Sequence, residues 1–280
     1  MSTSTVKDFR DVEIEKVEAF WDARPCNIRH STRAVGSREY FDDVERRKYF
    51  VEPHIPAFAQ FDRWKDKKVL EIGCGIGTDT INFARAGAKV TAVDYSGKSL
   101  EVARRRAKVY GLDVDFYQAD AERLSEFVPV ETYDLVYSFG VIHHTPHPER
   151  AIEQIRRFMG PQSLLKLMVY NRNSWKVFWI LTKFGKGRFW KADELVARYS
   201  EAQTGCPVTY TYTKNSIKKL LAGFEIEGIA VDHIFPYRIP EYKNYKYMRQ
   251  WYFRHLPEKI FSWMERNFGW HLCVTARPAC

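Results

Sequence analysis

Apolar positions along the first sixty-odd residues recur at helical spacing, and from Val69 onward they give way to short apolar blocks alternating with amphipathic stretches. Val6, Phe9, Val12, Ile14, Val17, Phe20 and Trp21 share one face of a helix over residues 6–23, ended by Arg24-Pro25. Residues 27–37 read as loop. Residues 38–51 and 53–64 read as two further helices, the second with proline at its start, where a missing N–H costs nothing. Strands are predicted at 69–72, 89–93, 114–118, 133–139, 162–170, 224–231 and 271–276. Helices are predicted at 78–86, at 99–110 before Gly111, through the stretch ending at Gly160, and at 213–221. Strands alternating with helices predict an α/β fold around a mostly parallel sheet. Two stretches interrupt the alternation, 171–212 with a helix in DELVARYSEA, and 233–269, and both are crowded with aromatic and basic residues.

The densest chemical signal is VLEIGCGIGTDT, residues 69–80. Gly73, Gly75 and Gly77 sit between a strand and a helix, where glycine lets the backbone turn and leaves no Cβ between the chain and a ligand. The helix that follows aims its first N–H groups at the same place. A dinucleotide site requires a third glycine three residues after the second, and here that residue is Thr78. Glu71, two residues before the loop, would repel a pyrophosphate and attract a ligand carrying ammonium and sulfonium charges. Asp94 ends the second strand of the βαβ unit, seventeen residues after Gly77, in position to accept hydrogen bonds from ribose hydroxyls.

The acidic residue followed by G-x-G-x-G resembles motif I of the class I S-adenosylmethionine-dependent methyltransferases. The resemblance implies a Rossmann-like seven-stranded, mostly parallel sheet with helices on both faces. Residues 1–66 would form an N-terminal helical cap, and residues 67–280 a methyltransferase domain with aromatic insertions after strands five and six. It implies S-adenosyl-L-methionine as cofactor and S-adenosyl-L-homocysteine as product. Glu71, Gly73, Gly75 and Gly77 would hold the amino-acid end and Asp94 the ribose. Asp120 would hold the adenine amino group, with Tyr95, Ala121 and Phe139 among the cofactor contacts. Taken singly, Asp94 and Asp120 also read as turn or N-cap residues. Segments before motif I fold over the cofactor in this family, which makes Tyr40, Tyr49 and His54 candidate pocket residues.

The loop from Phe139 to His147 would meet the methyl-transfer site. His143 or His144 is a candidate general base, because imidazole titrates near neutrality; both are also consistent with merely shaping the loop. His143 and His147 have helical metal-ligand spacing, but Pro146 disfavours a continuous helix and no acid or cysteine completes a set. Metal-free chemistry is the expectation. The D/N-P-P-Y/F segment of base-amino methyltransferases is replaced by SFGVIHH, and only Asn171 and Asn173 stand where a catechol enzyme wants carboxylates. The expected reaction is therefore in-line methyl transfer to a small-molecule acceptor, hydrophobic or lipid-like. The alternatives are a membrane-associated lipid/quinone or RNA-directed methyltransferase, or a non-catalytic S-adenosylmethionine-binding protein.

Composition changes this picture little. The formal charge of +9 and pI near 9.2 invite an anionic partner, yet basic residues are mixed with acids, and Arg104 to Arg106 read as a solvated helix face. That argues against nucleic acid. The aromatic insertions leave open an acceptor pocket, a peripheral membrane contact, a nucleobase-stacking surface or a subunit interface, with plain burial the default. Five scattered cysteines, Cys26, Cys74, Cys206, Cys273 and Cys280, read as reduced thiols. The longest apolar run, residues 177–181, is too short to span a bilayer, and the first twenty residues carry no secretory pattern, so a cytoplasmic location is expected.

Overall fold

The computed structural model describes residues 8–200 and 205–279. Val6, Glu201, Ala202, Thr204 and Cys280, which figure in the expectations above, lie outside the described residues.

Seven strands, β1 (Lys68–Ile72), β2 (Lys89–Asp94), β3 (Asp115–Gln118), β4 (Tyr133–Phe139), β5 (Met159–Tyr170), β6 (Phe224–Asp232) and β7 (His271–Pro278), form one sheet in the order β3-β2-β1-β4-β5-β7-β6. β1 to β5 pair in parallel, and β7 is antiparallel to both of its neighbours, as a mostly parallel sheet requires. The alternation of side chains along β1 divides two cores. Leu70 and Ile72 join Val136, Leu165 and Leu167 on one face, and Val69 joins Leu135, Tyr137 and Leu164 on the other.

The helices are α1 (Ile14–Ala23), α2 (Arg38–Val51), α3 (His54–Ala59), α4 (Thr78–Arg85), α5 (Gly97–Tyr110), α6 (Leu124–Phe127), α7 (Pro148–Arg157), α8 (Trp175–Phe184), α9 (Ala192–Tyr199), α10 (Lys214–Leu220), α11 (Ile239–Lys243), α12 (Trp251–Arg254) and α13 (Glu258–Phe268). Ile152, Ile155 and Ile217 of α7 and α10 fill the first core, and Phe83, Leu100 and Ala103 of α4 and α5 fill the second. Strand order reverses between β1 and β4. At such a switch point the two flanking loops diverge and leave a crevice beyond the carboxyl ends of the strands.

Several predicted elements are corrected. The helix expected over 6–23 is broken: Phe9–Asp11 forms a single tight turn capped by Asp8, Val12 and Glu13 are extended, and α1 begins only at Ile14. The two pieces have different partners, Phe9 edge-on to Tyr210 at 5.0 Å and α1 against α5. The helix expected over 53–64 ends at Ala59, because Gln60 takes a left-handed conformation (φ 55°) before a short turn at Phe61–Trp64. α7 stops at Arg157, since Met159 already pairs with Tyr133 as the start of β5. Arg106 does not lie on a solvated face. It is fully buried and donates to Thr78 Oγ1 (2.7 Å), the Phe41 carbonyl (3.2 Å) and Glu45 Oε2 (3.0 Å), tying α2 to the start of α4.

The aromatic stretches cover the crevice from one side. Val177 and Ile180 of α8 and Leu195 and Val196 of α9 pack with Met168, Tyr170, Trp270 and Cys273. Trp175 meets Tyr252 and Phe253 at 5.8 and 5.7 Å, so the two insertions touch each other. No helix among the described residues is long and apolar enough to cross a membrane.

Candidate active site

The loop after β1 passes through three left-handed glycines, Gly73, Gly75 and Gly77. At Gly73 a Cβ would come within 2.0 Å of the Val141 side chain, so this glycine lets the loop after β4 close against it; at Gly75 a Cβ would meet nothing within 4 Å, and the open side faces a cavity. Asp94 pins the loop from the neighbouring strand end. Its Oδ2 accepts from Gly75 N at 2.7 Å and its Oδ1 from Ser96 N at 2.8 Å. Burial pushes the Asp94 carboxyl up to about 6 against the pull of these backbone donors. Asp120 caps the turn after β3, accepting from Glu122 N at 2.9 Å, and burial raises its pKa too.

The cavity encloses about 560 Å³, a normal size for a small-molecule site. Gly73, Gly75, Asp94, Tyr95, Asp120 and Ala121 line one end, and Trp21 and Glu18 of α1 close over it. Phe139, Gly140 and Val141 lie at its waist. Tyr170, Trp175, Trp179, Tyr237, Trp270 and His271 line the far end. Of the residues singled out from sequence, Glu71, buried beneath the loop, and Gly77, at the loop's end where α4 begins, are not on the cavity wall. Tyr40, Tyr49 and His54 also stay off the wall: Tyr40 donates to the Ile28 carbonyl, Tyr49 to Asp79, and His54 meets His271.

The two histidines after β4 separate. His144 lines the cavity, edge-on to Trp21 at 5.2 Å, and its Nδ1 lies 2.8 Å from the Val208 carbonyl. A carbonyl only accepts, so Nδ1 carries the proton and the imidazole lone pair is on Nε2. His143 is fully buried behind Tyr170, with ring centroids 3.8 Å apart, and neither ring nitrogen has a hydrogen-bond partner among the described residues. Burial, helped by His144 and Lys176, holds its pKa well below the usual imidazole range. His147 stands apart at the N-cap of α7.

Beneath the loop lies an ion-pair network that the sequence pattern did not signal. Asp79, in the first turn of α4, accepts from Lys48 Nζ at 2.7 Å, from the Tyr49 hydroxyl at 2.9 Å and from the Tyr137 hydroxyl at 3.0 Å. Burial opposes the charge on Lys48, but Asp79 and Glu52 outweigh it and hold the pKa above the ordinary lysine value. Glu71 accepts from Thr80 Oγ1 at 2.5 Å, and burial, with Asp79 beside it, pushes its pKa from 4.5 to about 8. Between those values the folded chain holds a proton that the unfolded chain has released. The associated stability is therefore full below about pH 4.5 and lost as pH rises to about 8. Glu71→Gln is expected to flatten that decline. Urea unfolding midpoints at pH 5, 7 and 8.5 check it, and equal pH dependence in variant and parent would refute the protonated Glu71.

A seven-stranded sheet with an antiparallel last strand, a glycine loop after β1 and acids after β2 and β3 define the class I methyltransferase architecture. Residues 69–162 match the family described as methyltransferase domain, which supports the resemblance to the class I S-adenosylmethionine-dependent methyltransferases. Over 112 residues it is 35% identical to the ubiquinone biosynthesis O-methyltransferase of Actinobacillus pleuropneumoniae serotype 5b, a match covering 38% of this chain and 47% of that protein. The enzyme of the same name from Pseudomonas aeruginosa is 36% identical over 107 residues, 38% of this chain and 46% of that one. The chain thus spans about half the length of these curated relatives. Magnesium protoporphyrin IX methyltransferase from Synechocystis PCC 6803, solved with bound SAH, shares the fold with a TM-score of 0.60 and 17% identity, over 95% of this chain and 100% of that one.

Proposed function

We propose that this protein transfers the methyl group of S-adenosyl-L-methionine to an oxygen of a small, largely apolar, ring-bearing acceptor, releasing S-adenosyl-L-homocysteine. The observation that carries this reading is the continuity of the cavity from the glycine loop, through Phe139, to the cage of Tyr170, Trp175, Trp179 and Trp270. In this reading residues 1–66 act as a cap, with Trp21 and Glu18 over the cofactor. Gly73, Gly75 and Gly77 seat the amino-acid end, and Glu71, held by Thr80 Oγ1, supports the loop from below. Asp94 takes the ribose, Asp120 and Ala121 the adenine, and Tyr95 and Phe139 flank them. The O-methyltransferases of ubiquinone biosynthesis among the relatives support an oxygen acceptor. The aromatic far end supports a planar, apolar one.

The protein's share of the chemistry is alignment, since the cofactor carries the activated methyl. The acceptor oxygen attacks the methyl carbon in line with the breaking C–S bond, and the bonding pair passes to sulfur. His144 takes the acceptor's proton on Nε2, while His143 supports Tyr170 from behind. His144→Ala is expected to lower the single-turnover rate by about 10²- to 10⁴-fold while leaving S-adenosylmethionine affinity nearly unchanged. An unchanged rate would remove His144 as the base.

The acceptor class is read by incubating the purified chain and methyl-labelled S-adenosylmethionine with cell extract, then separating polar metabolites, lipids, RNA and protein. Label in a small-molecule or lipid fraction is the expected result. Label in RNA, or in no fraction with cofactor bound, would overturn the reading.

A further inference from the structure

We infer that Glu52, His233 and His271 form a binding site for one divalent transition-metal ion of the zinc class, facing the acceptor end of the cavity. This departs from the metal-free chemistry expected from sequence, and its role in catalysis rests on the proposed methyl transfer. The site is a product of topology. Because β7 runs against its neighbours, its first residue, His271, pairs with the last residues of both β5 and β6, Tyr170 and Asp232. His233 follows directly, and Glu52 caps the end of α2 above them. One ligand atom from each of the three lies within 4.8 Å of the other two. All three line the cavity. Tetrahedral donors around zinc at about 2.1 Å stand about 3.4 Å apart, so modest side-chain rotation closes the set.

Proton counting supports a cation here. His271 Nε2 lies 3.6 Å from Glu52 Oε1, His271 Nδ1 lies 2.9 Å from His54 Nε2, and His54 Nδ1 lies 3.9 Å from Asp232 Oδ1. Two neutral imidazoles supply two N–H groups for these three contacts. In either tautomer arrangement one nitrogen lone pair confronts a carboxylate oxygen. A metal ion between Glu52 and His271 resolves it. His271 Nδ1–H then donates to His54, whose own Nδ1–H points to Asp232, the outer-shell relay that orients metal-binding histidines.

Backbone geometry agrees. His233 is held at φ 71°, an uncommon conformation for a non-glycine residue, by its N–H donating to Asp232 Oδ1 and its carbonyl accepting from Trp270 N, both at 2.7 Å. Lys48 and Lys176 oppose a cation, and Lys48 is itself faced by the carboxylates of Asp79 and Glu52. Two imidazoles and one carboxylate favour zinc, iron(II) or manganese(II) over magnesium or calcium, and leave coordination positions open toward the cavity. The His271 ring lies 5.4 Å from that of Phe139 at the cavity's waist, so an acceptor hydroxyl bound there would be acidified beside the methyl donor. The substrate class narrows to acceptors presenting a hydroxyl or enol oxygen.

The test is zinc content after chelator treatment of the full chain, dialysis against Zn²⁺ and removal of excess, with S-adenosylmethionine affinity read on the same samples. Cobalt(II) absorption reports the ligand set. One zinc per chain is expected in the parent and in the exposed control His255→Ala. It should be lost in His271→Ala and Glu52→Gln, and bound about 10- to 100-fold more weakly in His54→Ala. Retained cofactor affinity in those variants shows that they fold. No stoichiometric zinc in the parent, or equal zinc in all variants, would overturn the site. Zinc retained by a chain that binds no S-adenosylmethionine would sink the methyl-transfer reading and uphold the metal site.

Discussion

Asp79→Ala is expected to cost about 3–5 kcal/mol of stability, because it strands the Lys48 ammonium in a place where water cannot replace the lost carboxylate. The Lys48 side chain is only 12% exposed and Asp79 2%. The same change removes the acceptor of two tyrosine hydroxyls, one of them on the fully buried Tyr137. For a chain of this size the melting temperature should fall by about 6–20 °C. Lys48→Met should cost less, since Tyr49 and Tyr137 still donate to Asp79, and the double variant should recover much of the Asp79→Ala loss. Calorimetry on the four proteins measures the coupling. A loss under about 1 kcal/mol in Asp79→Ala would mean that the ammonium finds water and the site is wetter than its burial suggests.

Asp94→Ala should weaken S-adenosylmethionine binding by about 1–3 kcal/mol, or about 5- to 150-fold in Kd. Two effects add: the ribose loses its acceptor, and Gly75 N and Ser96 N lose the carboxylate that pins the loop. The acid also sets a pH dependence. Only the ionised carboxylate accepts from both hydroxyls, and its pKa sits at about 6, so affinity should decline as pH falls through that value. Asp94→Asn should bind weakly with no inflection there. Titration calorimetry from pH 5 to 8 separates the outcomes, and equal affinity in parent and Asp94→Ala would dismiss the ribose assignment.

Most strands were legible as short apolar runs, with β1, β2, β4 and β6 closed by glycine or aspartate, and Tyr133–Phe139 is found with the bounds expected. The glycine loop was legible because its conformation restricts residue type. What escaped sequence reading depends on contacts between distant segments. Arg106 looks like one of three exposed bases until Glu45 and Thr78 are brought against it. Gln60 carries no signal for its left-handed turn, which packing imposes on a residue with ordinary preferences. His271 reads as the first residue of a closing strand, and only the antiparallel insertion of β7 places it beside Glu52 and His233. His143 and His144 are neighbours in sequence with the same chemistry, yet one faces the cavity and the other is sealed behind Tyr170.

The stretch that matches the methyltransferase domain family ends at residue 162, whereas Tyr170, Trp175, Trp179, His233, Trp270 and His271 all follow it. The chain is thus divided like a tool with a fixed handle and an exchangeable head. Mutations in the later segments can reshape what is gripped without disturbing the loop and acids that precede them. Grafting residues 170–212 and 233–271 onto a relative's core would then carry acceptor choice with them, and a library confined to those segments is where altered selectivity should be sought.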